Sequence, residues 1–100
     1  MAVVKWTPQA IRDINDIASF TSNDSFQYAS VFVRKIFEKE RLIAASIRMG
    51  RVVPEFQDEN IRELIFERYR IIYRVVDEEN VHILSIFHGS RILNQNSIFE

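Results

Sequence analysis

Residues 62–91 read RELIFERYRIIYRVVDEENVHILSIFHGSR. Three runs rich in Ile, Val, Leu, Phe and Tyr are split by charged dipeptides at Glu67-Arg68 and Glu78-Glu79. Apolar and β-branched runs of this length, bounded by polar turns, predict a three-stranded antiparallel meander. A two-residue loop at Glu67-Arg68 sets Phe66 opposite Tyr69, Leu64 opposite Ile71 and Arg62 opposite Tyr73. A second turn centred on Glu78-Glu79 sets Val76 opposite Val81, Arg74 opposite Ile83, Ile72 opposite Ser85 and Arg70 opposite Phe87.

Side chains alternate along a strand, so this register sorts the meander into two faces. One face carries Leu64, Phe66, Tyr69, Ile71, Tyr73, Val75, Leu84 and Ile86, with Arg62, His82 and His88 at its margins. The other carries Ile61, Ile65, Ile72, Val76, Val81, Ile83 and Phe87, together with Glu63, Arg70, Arg74 and Ser85. Both are too apolar for the solvated side of an antiparallel sheet.

Upstream, Ala2 to Trp6 reads as a short strand. Thr7-Pro8 is a helix start, a capping hydroxyl followed by proline where its missing N–H costs nothing. Ile11, Ile14, Ile17 and Ala18 recur at helical spacing, giving a first helix over about Pro8–Phe20. Asp24 and Gln27 have the spacing of a capping box, and a second helix is predicted from about Ser25 to Ile47. A short linker makes the two an antiparallel hairpin. Gly50 is expected as the left-handed residue closing the second helix. Pro54 forces Val53 to be extended. The expected fold is therefore α/β of the α+β kind: N-terminal strand, helical hairpin and three-stranded meander (β-α-α-β-β-β).

The 100 residues suit a single domain, with 92–100 as a C-terminal tail. A net charge of −1 argues against extensive binding to nucleic-acid phosphates. The chain has no cysteine, which removes disulfide and thiolate chemistry. Two histidines without recognisable carboxylate spacing predict no metal, and no glycine loop is present to cradle a phosphate, so no cofactor is expected. Neither a leader nor a run of about 18 apolar residues is present, so the expected compartment is the cytoplasm, with no membrane partner.

The two helices suffice for one face of the sheet. The other is covered either by a partner bringing an amphipathic helix or a strand, or by the tail folding back. Glu63 between Arg70 and Arg74 reads as cross-strand ion pairing, or else Arg70, Arg74 and Arg91 form a cationic spot for an acidic partner or a phosphate. His88 reads as a structural strand-end histidine or as a general base.

Several motifs, in order, resemble the ParE/RelE superfamily of type II toxin–antitoxin (plasmid stabilisation) toxins. They are Pro8 and Ala10 at the first helix, Gly50-Arg51-Val52-Val53-Pro54-Glu55, Arg62-Glu63-Leu64, Tyr69-Arg70-Ile71-Ile72-Tyr73 and His88-Gly89-Ser90-Arg91. RelE-like members cleave mRNA in the ribosome, using strand lysines, arginines and often a C-terminal tyrosine. Arg70 and Arg91 match the arginines. Ile61 and Glu63 stand where the lysines would be, and no tyrosine follows Arg91. ParE-like members inhibit DNA gyrase by binding, and an antitoxin neutralises them by laying its C-terminal segment over the toxin.

The resemblance thus implies a ParE-like, non-enzymatic toxin that forms a hetero-oligomer with its antitoxin and does not itself bind DNA. Antitoxin contacts are expected at Ile61, Ile65, Arg70, Ile72, Arg74, Val81, Ile83 and Phe87. Target contacts are expected at Arg51, Arg91 and the tail, although Arg51 also suits a helix C-terminus as a charge favourable to its dipole. The alternatives are a RelE-like nuclease using Arg70, Arg91 and His88, and a non-toxic relative that only binds an antitoxin.

Overall fold

The computed structural model describes residues 1–89. The expectations for Arg91 and for the tail 92–100 lie outside the described residues. In chain order the elements are β1 (Val3–Trp6), α1 (Pro8–Ser22), α2 (Phe26–Ala45), β2 (Arg51–Val52), β3 (Ile61–Phe66), β4 (Tyr69–Asp77) and β5 (Asn80–His88). They form one mixed sheet of order β1-β5-β4-β3-β2, in which β1 runs parallel to β5 and the other pairs are antiparallel. The expected α+β order holds, with the meander as β3–β5. The sheet gains β2, a strand not expected from the sequence, which foresees only an extended Val53 just after it.

Thr7 caps α1 by accepting from the Ala10 N–H, and Pro8 follows it in the first turn. The second helix is capped by Ser25, whose hydroxyl accepts from the Tyr28 N–H at 3.1 Å. The expected capping box at Asp24 does not form. α1 runs on to Ser22, and the Thr21 carbonyl accepts from both Asp24 N and Ser25 N, which closes the turn one residue later.

Gly50 is also not a left-handed helix cap, because α2 has already ended at Ala45 and no glycine has positive φ. Space is what requires glycine there. An added Cβ would lie 2.6 Å from the Glu63 carbonyl oxygen and 2.8 Å from the Tyr73 hydroxyl. That hydroxyl accepts from the Gly50 N–H at 2.9 Å.

The first hairpin has the expected register, Phe66 opposite Tyr69 through Arg62 opposite Tyr73. The second agrees at Ile72–Ser85 and Arg70–Phe87 and then departs from it. Tyr73 lies opposite Ile83 and Val75 opposite Val81, so Leu84 on β5 and Val76 on β4 are extra residues at two irregularities. The irregularity at Leu84 falls where α1 attaches to β5. β1 leaves the sheet after Trp6, and the Thr7 N–H and hydroxyl donate to the Ile83 and Leu84 carbonyls at 3.0 and 3.1 Å. Asp13 then accepts from the Ser85 hydroxyl at 2.7 Å and the Ile86 N–H at 3.0 Å. Helix side chains thus continue the ladder along the edge of β5.

The faces change accordingly. Val81 and Ile83 lie with Ile71, Tyr73, Val75 and Ile86 in the core beneath α1 and α2, packed against Ala10, Ile14, Phe32, Ile36 and Ile43. Their expected place on the other face, as antitoxin contacts, is therefore corrected. Leu84 crosses over to join Ile61, Ile72 and Phe87. That second face has its own cover: Val53, fully buried, and Phe56 from the connection between β2 and β3. The expectation that only a partner or the tail covers this face is corrected, because residues of the connection already pack on it. Pro54 ends β2, and the Phe56 and Gln57 N–H groups both bond back to the Val53 carbonyl, folding the connection onto the sheet.

Candidate functional site

The second face contains charge where its neighbours are apolar. Glu63 on β3 lies opposite Arg51 of β2 on one side and Ile72 of β4 on the other. Arg70 lies opposite Ile65, one diagonal step away. The Glu63 side chain is 0% exposed. Its Oε1 accepts from Arg51 Nε and its Oε2 from Arg70 Nε, each at 2.6 Å.

Arg70 also reaches the connection. Its Nη1 and Nη2 donate to the two Glu55 oxygens at 2.7 and 2.9 Å, a bidentate pair. The guanidinium lies over the Phe87 ring, 5.6 Å from its centroid. Two arginines and two carboxylates thus form a neutral chain, Glu55–Arg70–Glu63–Arg51, exposed at its Glu55 and Arg51 ends and buried at Arg70 and Glu63.

The pairing shows in the ionisation of both partners. The hydrogen bonds from Arg70 hold the Glu55 carboxyl below the usual range, against the opposing effect of burial. Arg70 is raised, with its hydrogen bonds to Glu55 as the largest cause and those to Glu63 also contributing. A groove of about 520 Å³ opens over this chain, lined by residues that include Arg51, Pro54, Glu55, Ile65, Arg68, Arg70 and Gly89.

The expected site residues separate into distinct environments. Ile61, Ile72 and Phe87 are buried beneath Val53 and Phe56. Ile65 is 56% exposed in the groove. Arg74 is half-buried opposite Ile61 or His82, so the expected Glu63–Arg74 pairing is replaced by Glu63–Arg51. Arg51 is 64% exposed at its side chain, with Nε turned inward to Glu63.

His88 lies edge-on against the Tyr69 ring, centroids 5.6 Å apart. Tyr69 packs on the helix-side core, whereas its neighbour Arg70 packs on the opposite face. Arg70 and His88, two thirds of the nuclease set, are therefore not brought together, and Arg91 lies outside the described residues. Glu55 is the site residue that sequence reasoning missed. A charged residue after a proline in a connection gives no sign of what it meets.

The sheet, its helical hairpin and the Arg–Glu chain define a small α+β domain with a neutralised cationic centre. A family model, "ParE toxin of type II toxin-antitoxin system, parDE", matches residues 4–93. The chain belongs to the ParE toxin family of type II toxin–antitoxin systems. Among solved structures it is similar to one titled "Chromosomal ParDE TA system from P. aeruginosa", at 23% identity and a TM-score of 0.71, covering 88% of this chain and 96% of that one. That likeness supports the fold. No curated protein matches.

Proposed function

We propose that this chain is a toxin that inhibits DNA gyrase by binding, acts in the cytoplasm and is neutralised by a cognate antitoxin. One observation carries the non-catalytic reading. The Arg70 guanidinium, at the position of a nuclease arginine, is already engaged by Glu55 and Glu63 and is almost wholly buried. Phosphoryl-transfer chemistry needs cationic donors directed at the developing charge and a proton donor within reach. Here the donors are directed at carboxylates, and His88 packs on the other face of the sheet.

The antitoxin reading draws on exposed apolar surface. Phe20 and Phe26 are 74% and 76% exposed beside the turn of the helical hairpin, and Ile65 is exposed at the groove. Of the expected antitoxin contacts, Ile65 and Arg74 remain reachable candidates, and Arg70 lines the groove with its donors taken by Glu55 and Glu63. Ile61, Ile72 and Phe87 become contacts only where the connection over them gives way. Arg51 stays a proposed target contact because its side chain is exposed, and Arg91 and the tail are proposed with it.

The test is direct. The purified chain is expected to block supercoiling by gyrase in vitro while transcripts in expressing cells stay intact. Ribosome-dependent cleavage of transcripts, abolished by Arg70→Ala, would sink the proposal in favour of the nuclease. Expression without growth arrest would favour a non-toxic antitoxin binder.

A further inference from the structure

The two carboxylates on Arg70 are held very differently. Glu63 belongs to β3, is flanked by β2 and β4, and is fully buried. It cannot leave without dismantling the sheet. Glu55 belongs to the irregular connection after β2, and its side chain is 37% exposed at the groove's lip. Both Glu55 oxygens close the outer fork of Arg70, the bidentate arrangement that any carboxylate would adopt. With Glu55 removed, Arg51 and Arg70 against Glu63 leave one positive charge over, which a single monoanionic carboxylate balances. Beside this position the groove offers Pro54 and the exposed Ile65, while Glu67 also lines it.

We propose that Glu55 is an exchangeable internal ligand, and that the Arg70 fork is a docking site for an Asp or Glu side chain of a protein partner, with a neighbouring apolar residue packing on Ile65. The inference rests on the reading above that this face contacts a protein partner, and it deepens that reading. Carboxylate for carboxylate preserves both geometry and charge. A nucleic-acid strand would bring several negative charges where displacement of Glu55 leaves one to balance, the lining Glu67 and Arg68 offsetting each other, and it has no apolar side chain for Ile65. The internal Glu55 lowers the partner's apparent affinity by the fraction of chains in which the fork is open. It therefore discriminates against segments that cannot outcompete it.

The experiment titrates the full isotope-labelled chain, as wild type, Glu55→Gln and Glu55→Asp, while following the arginine Nε–H resonances by NMR. The probes are a blocked Leu-Glu-Leu peptide, its Leu-Gln-Leu counterpart and a single-stranded RNA oligonucleotide. The Arg70 resonance is expected to move with the Glu peptide and not with the Gln peptide. Binding to Glu55→Gln is expected to be about tenfold tighter than to wild type, with Glu55→Asp between them. Should Glu55→Gln fail to fold, the Asp variant against wild type gives the same comparison. Equal affinity across the proteins, no movement of Arg70 with the Glu peptide, or tighter binding of RNA than of peptide would overturn the exchange. Absence of gyrase inhibition by the wild-type chain bears on the toxin reading alone.

Discussion

Glu63 shows how burial changes what one residue is worth. A cross-strand Arg–Glu pair on a wet surface contributes about 0–1 kcal/mol. Here the carboxylate has no solvent and holds two arginines, so removing it leaves Arg70 buried with half its compensation. Glu63→Ala is expected to cost roughly 3–5 kcal/mol, lowering Tm by more than about 10 °C for a domain of this size. Arg51→Ala leaves Glu63 its bond to Arg70 and opens its outer oxygen to water beside an exposed position, and is expected to cost less than Glu63→Ala. Equal thermal shifts for the two variants would refute the distinction. Tyr73 gives a neutral counterpart. Burial raises its phenol, and its hydroxyl satisfies the Gly50 N–H. Tyr73→Phe should therefore cost about 1–3 kcal/mol by leaving that donor without a partner, read as a lower urea midpoint at unchanged slope.

At the scale of elements, the connection between β2 and β3 is the part the sequence described least well. Its apolar residues Val53 and Phe56 close the second face and its Glu55 holds Arg70, which no local pattern in the sequence signals. Its attachment depends on pH in a direction that can be worked out. The folded Glu55 carboxyl lies below its ordinary value because Arg70 stabilises the ionised form. Its contribution to stability is therefore complete above the ordinary carboxylate range and is lost as pH falls through the folded value. Urea titrations of wild type and Glu55→Gln should differ most near neutrality and converge only once pH has fallen below the lowered Glu55 value. A gap that persists undiminished at acid pH would mean that Glu55 stabilises by packing alone.

For the whole molecule, the sheet is closed on both sides by its own chain, by α1 and α2 on one and by residues 53–56 on the other. Among the described residues, the exposed apolar side chains include Phe20 and Phe26 at the turn of the helical hairpin, Val76 on β4 and Ile65 at the groove. A hydrophobic dye should bind the purified chain and be released when the cognate antitoxin is added. Phe26→Ser should reduce the dye signal without lowering Tm, since that ring is already exposed. Unchanged dye binding after antitoxin addition would count against coverage of this surface.

Local chemistry determined the two helices, β1 and the meander, because their determinants are adjacent in sequence, whereas β2 exists only by pairing with β3. The Thr7-Pro8 cap, the 3.6-residue stripe of α1 and the strand–turn alternation of residues 62–91 all act over a few residues. The first hairpin register followed from its two-residue turn. What only the tertiary structure decided depends on contacts between segments far apart in the chain. The edge of β5 accepts hydrogen bonds from Thr7 and donates to Asp13 where Leu84 is an extra residue, and beyond it Val81 and Ile83 lie on the helix side. Glu55 finds Arg70 fifteen positions away. A side-chain period of two cannot register such an inserted residue, and a charge pattern cannot show which carboxylate reaches a buried arginine first. For that reason Arg70 could be named from the sequence as a site residue, while its occupied state could not.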